Sequence, residues 1–314
     1  VKMILILTQQ FSPLNGFYSL QSLLLLDMLG WYLPYSIMIE EIKYFILGLI
    51  QGLTEFFPIS SSGHLELFSH IYNIAKSEPL LLFITVHFAT ALSTVIVYYQ
   101  RIREIVSGLF LNTDKDRSFV LKLLISSIPT IIIYVLFQHK IDLLFIDAVS
   151  LVCAMLIITG LILLSTSLIK TSNGDINFVH AILIGCAQAF AIIPGISRSG
   201  ATIATALCCK VKRERAAEFS FLMALIPIIG GTIIKGLEFL TKHPDNDIEI
   251  KGLIIAFLSA FFSGLFACKY MIFVVKKNNL KYFGYYCVSI GLLFWFTTSD
   301  LTINHLYQRI IHLF

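Results

Sequence analysis

Charged residues are scarce in this chain of 314 residues: they make up 13% of it, whereas hydrophobic residues make up 57%. Soluble globular proteins average about 25% charged residues, so the composition excludes an ordinary soluble protein and indicates an integral membrane protein. The chain also lacks a basic run interleaved with aromatic residues, and its formal net charge is only +4, which argues against a nucleic-acid partner. Its six cysteines form no Cys-x-x-Cys pair, so they are interpreted as small apolar side chains and not as metal or disulfide sites.

Long apolar runs recur along the chain and predict an all-α protein. A helix needs about 20 apolar residues to cross a bilayer. On that length we predict six transmembrane helices, over roughly 80–99, 118–137, 145–166, 217–236, 251–275 and 282–297. Two further apolar stretches, about 42–73 and 179–209, are interrupted by Pro, Ser and Gly. Each is too long for one helix and too short for two spans, so we predict two re-entrant helix hairpins.

The two interrupted stretches share an internal repeat. Residues of the first recur at the same spacing in the second: Gly48, Gln51, Ser60 and Gly63 match Gly185, Gln188, Ser197 and Gly200. Three predicted spans separate the copies, and because three is odd the second copy must be inverted. Basic residues are concentrated in alternate loops, which are cytoplasmic by the positive-inside rule. We therefore predict an inverted-topology repeat, with repeat one over about 42–166 and repeat two over about 179–297.

Residues 1–37 form an N-terminal extension to this pattern. Their apolar run continues to Ile39 and is interrupted by Asp27 and Pro34. It suits an extra span, a signal-like segment or upstream sequence that is not translated. Because Met38 directly precedes the repeat, we expect translation to start there and residues 38–314 to form a single membrane domain.

Glu55 is a carboxylate inside the first interrupted stretch. A charge at bilayer depth costs from ~2.5 to over 10 kcal/mol, depending on how the cost is measured, so such residues are usually functional. Glu55 is a candidate general acid or base, or a ligand of a divalent cation together with Gln51, which lies on the same helix face. A structural ion pair is the alternative. His87 and Gln188 also lie in apolar runs and are interpreted as structural polar contacts.

A serine cluster follows the first proline of this stretch. Ser60, Ser61 and Ser62 can cap a half-helix, whose free N–H groups suit phosphate binding. One of their hydroxyl groups is a candidate nucleophile if a base lies nearby. His64 comes one helical turn later and is the candidate partner of Ser60 or Ser61.

Arg198 stands at the corresponding point of the second stretch. A guanidinium group is always charged and binds phosphate oxygens with two parallel hydrogen bonds; an arginine that extends to the membrane interface is the alternative. Ser197, Ser199 and Thr202 add hydroxyl groups around it. The two stretches together predict an anion site, and the added Glu and His favour hydrolysis of a phosphate ester or diphosphate over anion binding alone.

These motifs resemble those of the undecaprenyl-diphosphatase family, also called bacitracin-resistance proteins. Three segments match the family pattern in order: the Gln51/Glu55 pair, Pro58 to His64, and Pro194 to Thr202. The similarity runs from about Met38 to the last predicted span. The chain departs from members that have Glu at the position of Gln51, which puts a site with two carboxylate ligands in doubt.

The resemblance implies a hydrolase that converts undecaprenyl diphosphate to undecaprenyl phosphate and inorganic phosphate. Such enzymes recycle the lipid carrier for peptidoglycan synthesis, confer bacitracin resistance and need a divalent cation, Mg²⁺ or Ca²⁺. It also implies a multi-pass protein of the bacterial inner membrane with its active site toward the periplasm. Carried over by position, the expected catalytic residues are Glu55, Ser61, His64 and Arg198. The expected phosphate-binding residues are Ser60, Ser62, Ser197, Ser199 and Thr202.

Several alternatives stay open at the level of sequence. The inverted repeat also suits a transporter or flippase of the polyprenyl phosphate carrier. Ser61 could attack phosphorus directly, or an activated water could. The expected partners are the polyprenyl diphosphate and membrane lipid, and a homodimer is a further candidate that the sequence does not test. Type 2 phosphatidic-acid phosphatases are excluded, because their second histidine would fall at Ala204.

Overall fold

The computed structural model describes residues 40–71, 79–111, 113–145, 149–170, 173–242 and 250–297. The chain divides into two compact units, Val1–Lys43 and Tyr44–Phe314, and the packing and the site described below belong to the second. The expected N-terminal extension over residues 1–37 and the expected start at Met38 lie outside the described residues.

The described residues form helices and no strand, which confirms the predicted all-α fold; a single parallel bridge joins Gly174 to Val211. A 3-10 turn, Thr166–Leu168, follows the sixth helix. In chain order the helices are α1 (40–56), α2 (Ser61–Ile71), α3 (Pro79–Val97), α4 (Tyr99–Phe110), α5 (Asp114–Leu144), α6 (Val149–Ser165), α7 (Phe178–Phe190), α8 (Arg198–Cys208), α9 (Arg213–Lys242), α10 (Ile250–Lys276) and α11 (Leu280–Thr297).

Four helices in the described part of the chain are long and apolar enough to cross a membrane: α5, α6 with its 3-10 turn, α9 and α10. Helices α3 and α4 pass the same test as a pair but are bent by 74°. Helix α11 has 18 residues, among them Lys281 and three tyrosines, and is not one of the four. The chain is therefore a multi-pass membrane protein, while the count of six spans stays a prediction.

The outer surface of the helices is apolar. On α5, large apolar side chains lie exposed on successive turns, including Ile128, Ile131, Ile132, Val135 and Leu136. A soluble protein rarely exposes so large a continuous apolar surface, whereas a helix that faces lipid must. The exposed face of α5 therefore agrees with a membrane environment.

The two repeats pack against each other in equivalent ways. A Cβ atom at Gly48 of α1 would collide with the backbone carbonyl of Ala256 on α10, and one at Gly185 of α7 would collide with the carbonyl of Ser126 on α5. Small residues let helix backbones approach closely where lipid supplies no hydrophobic drive for association. Each interrupted stretch therefore packs against a helix of the opposite repeat.

The largest apolar core lies beneath the interrupted stretches. It includes Phe56 from the end of α1, Ile203 from α8 and Phe221 from α9, all at most 2% exposed. The rings of Phe56 and Phe221 meet edge to face with their centroids 5.6 Å apart. This packing fixes the end of α1 against the second repeat.

The bend at Tyr98 turns α4 away from the predicted span. Arg101 on α4 donates to Glu218 on α9 at 2.7 Å and lies 3.7 Å from Asp116 on α5. Arg101, which the sequence placed in the basic loop after the first predicted span, thus lies on a short helix and is paired with acidic side chains. This ion network joins α4, α5 and α9.

Candidate active site

Two short breaks interrupt the paired half-helices. The first break, residues 57–60, separates α1 from α2 and contains Pro58; the second break, residues 191–197, separates α7 from α8 and contains Pro194. Proline cannot donate the backbone hydrogen bond that a helix interior requires, which favours an interruption here. Proline alone does not stop a helix in this protein, since Pro129 lies inside α5 and Pro227 inside α9. The sequence predicted both interruptions.

The two breaks lie against each other. A Cβ atom at Gly63 would lie 3.2 Å from the Cα atom of Gly195, and one at Gly200 would lie 3.3 Å from the Cβ of Pro58. Gly195 has φ +96, a value that L-residues rarely adopt. The hydroxyl of Thr159 on α6 holds the second break, because it donates to the Gly195 carbonyl at 2.9 Å and accepts from the Ser197 N–H at 3.0 Å.

The serine at the end of each break caps the helix that follows. Ser60 Oγ accepts from the Gly63 N–H at 3.2 Å, and Ser197 Oγ accepts from the Gly200 N–H at 3.1 Å. Serine favours this capping position because its oxygen satisfies an N–H group that the helix leaves unpaired. The hydroxyl groups of Ser60 and Ser197, predicted to bind phosphate, are thus engaged in capping.

Glu55 and Arg198 meet where the breaks touch. Arg198 Nη2 donates to Glu55 Oε1, so the first repeat supplies the carboxylate and the second supplies the guanidinium. Ser61 Oγ donates to Glu55 Oε2 at 2.8 Å, and Gln51 Nε2 donates to the same oxygen at 2.9 Å. Glu55 is 9% exposed, so these three donors replace water around its charge.

Two polar atoms beside this carboxylate are buried and have no hydrogen-bond partner within the described residues: Arg198 Nη1 and Gln51 Oε1. An unsatisfied buried polar group costs about 1–3 kcal/mol, and more when it is charged. Such groups often mark a position that a ligand fills. Here one is a cationic donor, which suits a phosphate oxygen, and the other is a neutral oxygen, which suits a cation or a donor.

His64 contacts Ser60 and Tyr286 and is not among the hydrogen-bond partners of Glu55 given above. Its Nδ1 is 2.8 Å from the Ser60 carbonyl, and its Nε2 is 3.0 Å from the Tyr286 hydroxyl on α11. Since a carbonyl only accepts hydrogen bonds, Nδ1 carries the hydrogen, and Nε2 accepts from Tyr286 in the neutral ring. His64 therefore contacts the backbone of the serine cluster, as expected from its spacing, and not the Ser61 hydroxyl.

The other hydroxyl groups expected around the phosphates form contacts within the protein. Ser62 Oγ lies 3.3 Å from Ser60 Oγ, and Ser199 Oγ lies 3.3 Å from Ser197 Oγ. Thr202 Oγ1 donates to the Arg198 carbonyl at 2.8 Å and lies 2.6 Å from Ser220 Oγ. Thr202 thus fixes the first turn of α8 behind Arg198, and phosphate binding by these residues stays a prediction.

His87 on α3 belongs to the same cluster, although the sequence interpretation treated it as a structural polar contact. Its Nε2 lies 3.9 Å from Glu55 Oε2, and its Nδ1 is held 2.9 Å from the Phe83 carbonyl. The signal was available, because an ionisable side chain in an apolar run, histidine included, is rare and usually functional. What could not be read from the sequence is that α3 passes beside the end of α1.

A divalent cation would find few ligands in this cluster. The described residues contain no group of three or more His, Cys, Asp or Glu side chains arranged for a metal, and Glu55 is the one carboxylate among the contacts described for this cluster. Mg²⁺ commonly binds through one or two carboxylates plus substrate phosphates and retains several waters. Glu55 and the unpaired Gln51 Oε1 fit a cation of that kind.

Comparison with known proteins identifies the family. Residues 44–293 match the family described as bacitracin resistance protein BacA. A protein of Christiangramia forsetii named undecaprenyl-diphosphatase is 42% identical over 253 residues, which cover 79% of this chain and 94% of that protein. Proteins of the same name from Bacteroides fragilis and Salinibacter ruber are 40% and 41% identical, over 81% and 78% of this chain and 97% and 95% of their own lengths. The chain therefore belongs to the bacitracin resistance protein BacA family.

Proposed function

We propose that this protein hydrolyses undecaprenyl diphosphate to undecaprenyl phosphate and inorganic phosphate. The observation that carries the proposal is the contact of Glu55 with Arg198 across two breaks, with an unpaired guanidinium nitrogen beside it. The names of the similar proteins specify the substrate. In a bacterium this reaction would recycle the lipid carrier for peptidoglycan synthesis and confer resistance to bacitracin.

Arg198 would bind the outer phosphate without releasing Glu55. Its Nη2 is engaged by the carboxylate, whereas its Nη1 is free to donate to a phosphate oxygen. Helix α8 begins at Arg198, so the positive end of the helix dipole points at the same place. Phosphoryl transfer depends mainly on positioning and on such electrostatic stabilisation.

Ser61 is proposed as the nucleophile. Its hydroxyl donates to Glu55 at 2.8 Å, which is the distance expected between a nucleophile and its base. Glu55 would accept the hydroxyl proton while the Ser61 oxygen forms a bond to the outer phosphorus. The bond from that phosphorus to the bridging oxygen would break, and the polyprenyl phosphate would leave. Water would then hydrolyse the phosphoserine and release inorganic phosphate.

His64 would serve the departing phosphate and not Ser61. Its ring contacts the Ser60 carbonyl and the Tyr286 hydroxyl on α11, whereas Ser61 contacts Glu55. In the neutral ring described above Nε2 has no proton to give, so His64 would act as the imidazolium, which could protonate the bridging oxygen of the leaving group or donate a hydrogen bond to it. Glu55 and Gln51 would hold Mg²⁺ or Ca²⁺, which when bound offsets negative charge on the diphosphate oxygens.

The proposed membrane arrangement has six spans, two re-entrant hairpins and a site that opens toward the periplasm of the inner membrane. Helix α8 has 11 residues between the second break and a basic turn that contains Lys210 and Lys212. At 1.5 Å per residue it spans about 16 Å, close to half of a bilayer core. With the basic turn in the cytoplasm, the breaks would lie near the midplane.

The test of the proposed function is phosphate release by the purified protein from a C55 polyprenyl diphosphate, with Mg²⁺ and with a chelator. We expect release that the chelator abolishes and added Mg²⁺ restores. A preparation that binds the lipid but releases no phosphate under any cation condition would contradict the proposal.

A transporter or flippase of the polyprenyl phosphate carrier is the second candidate. The matched capping of the two breaks, with Ser60 and Ser197 in equivalent roles, is what an inverted repeat at a transport site provides. Vesicles that contain the protein and a labelled polyprenyl phosphate would distinguish the two. Flipping without hydrolysis favours the carrier, and hydrolysis without flipping favours the enzyme alone.

A further inference from the structure

An apolar groove begins beside the candidate active site. It has a volume of about 310 Å³ and is lined by Phe57, Ile59, Tyr282, Phe283 and Tyr286. No lining side chain is ionised at neutral pH, and two of the rings pack against each other: Phe57 contacts Phe283 with a centroid distance of 5.2 Å. The groove is therefore an apolar surface with one side formed by packed aromatic rings.

The groove is continuous with the site. Phe57 and Ile59 belong to the first break, whose next residues are the serine cluster. Tyr286 contacts His64 in two ways: its hydroxyl is 3.0 Å from Nε2, and the rings stack with their centroids 5.6 Å apart. A molecule with its phosphates at Arg198 and His64 would therefore extend its next atoms along this groove.

We propose that the groove binds the isoprene units of the polyprenyl chain nearest the diphosphate, and that Tyr282 is a specificity-determining residue for chain length. This assignment rests on the proposed hydrolysis of a polyprenyl diphosphate. The lining side chains of the groove are uncharged, which suits a hydrocarbon chain. The one cation described beside them is Lys281, whose Nζ lies 5.4 Å from the centroid of the Tyr282 ring, at the end of the groove away from His64.

The size of the groove sets how much of the chain it holds. An enclosed apolar cavity of about 150 Å³ binds one benzene molecule, so a groove of about 310 Å³, which is largely open on one side, holds at most about twelve carbon atoms, or two isoprene units. The remaining units of a long chain would lie among lipid, where they make no specific contact. The rate of hydrolysis should therefore depend on chain length up to about two or three isoprene units and should not depend on it for longer chains.

Tyr282 would contact the second isoprene unit and not the first. It lies one helical turn before Tyr286 on α11, which is about 6 Å along the helix axis. Tyr286 is the groove residue in contact with His64, so Tyr282 is the more distant from the phosphates. It is 61% exposed, so shortening its side chain leaves the buried core unchanged.

The experiment measures kcat/KM for phosphate release from diphosphates with 5, 10, 15 and 55 carbons, in wild type and in Tyr282→Ala. Tyr285→Ala is the matched control, because Tyr285 is 58% exposed on the same helix and is not a groove residue. Tyr282→Phe keeps the ring and separates its contribution from that of the hydroxyl.

In wild type, kcat/KM should rise from 5 to about 10–15 carbons and then level off. Tyr282→Ala should lower kcat/KM about tenfold for 15 and 55 carbons, mainly through KM, and by less than about twofold for 5 carbons. Tyr282→Phe and Tyr285→Ala should follow wild type.

Two outcomes would overturn the assignment separately from the proposed function. If wild type releases phosphate but Tyr282→Ala changes all chain lengths by the same factor, the groove does not bind the chain. If Tyr285→Ala has the same effect as Tyr282→Ala, the loss comes from α11 in general. Absence of release by wild type from every chain length would instead contradict the proposed function, and this assignment with it.

Discussion

The two breaks share one backbone design and differ in their chemistry. In both, a serine caps the next helix through the N–H group three residues later, and two serine hydroxyls lie 3.3 Å apart. In the first break α1 ends beside a carboxylate, Glu55, whereas the corresponding position of the second is Ile192. The first half-helix begins with Ser61, and the second begins with Arg198.

This difference shows how an internal repeat can give one site instead of two. The helices that flank the first break supply the proposed base, Glu55, and nucleophile, Ser61, and the helix after the second break supplies the guanidinium of Arg198, which stabilises negative charge. Neither interrupted stretch forms the site alone, because Glu55 and Arg198 pair with each other. Without its partner, each would be an unpaired buried charge. The shared scaffold brings the ends of the half-helices together, and the sequence differences between them supply the chemistry.

Removal of the guanidinium should have the largest effect. Arg198→Ala should lower kcat at least ~10²-fold, because a donor to the transition state is lost. Arg198→Lys keeps the charge but not the paired donors, so it should retain more activity than Arg198→Ala and less than wild type. Phosphate release in purified protein checks this order, and wild-type turnover by Arg198→Ala would contradict it.

The serine pair tests whether the first break supplies a nucleophile. Ser61→Ala should lower kcat at least ~10²-fold, because it removes the proposed nucleophile. Among the described residues, the hydrogen bonds of Glu55 reported above include no second hydroxyl group that could replace it. Ser62→Ala is the matched control and should lose less than about tenfold, since Ser62 contacts Ser60 and not the carboxylate. Equal, small losses in both variants would favour direct attack by water.

The equivalent glutamines test where the cation binds. Gln51→Glu adds a second carboxylate next to Glu55 and should lower the Mg²⁺ concentration at half-maximal rate several-fold, because hard cations prefer carboxylate ligands. Gln188→Glu is the control in the second break, where the side chain donates to Thr130 at 3.2 Å and no carboxylate is among its contacts. Its Mg²⁺ requirement should match wild type; an equal shift in both variants would contradict the assignment.

The smallest effect concerns the caps. Ser60 has φ +72, whereas Ser197 has φ −74. Replacement of a capping serine by glycine costs only a few tenths of a kcal/mol, whereas glycine relieves a positive φ by about 1 kcal/mol. Ser197→Gly should therefore lower the free energy of unfolding by about 1 kcal/mol more than Ser60→Gly does. Thermal unfolding in one detergent measures the difference, and the reverse order would contradict this explanation.

The sequence predicted the parts of this site that follow from local pattern. The constant spacing of Gly48, Gln51, Ser60 and Gly63 with their second copies predicted paired breaks, and the structure has both. The cost of a buried charge predicted that Glu55 and Arg198 would be brought together, and they are. The catalytic roles of these residues stay predictions that the experiments above test.

The parts that were missed depend on which helices become neighbours. His64 contacts Tyr286 across 222 residues of sequence, and no local pattern encodes that pairing. A tyrosine in an apolar run usually indicates a membrane interface, so Tyr286 gave no signal of its own. The bend at Tyr98 was missed for another reason, because hydropathy alone cannot distinguish a straight span from a bent one.

The measurement that tests the central claim most directly is a double-mutant cycle on the free energy of unfolding, with Glu55→Gln, Arg198→Gln and the double variant. If the two breaks meet through this ion pair, each single variant leaves one buried charge unpaired and costs about 3–5 kcal/mol. The double variant should then cost less than the sum, with a coupling energy of about 1–3 kcal/mol. Strictly additive losses would mean that Glu55 and Arg198 do not contact each other and would contradict a single site formed from both repeats.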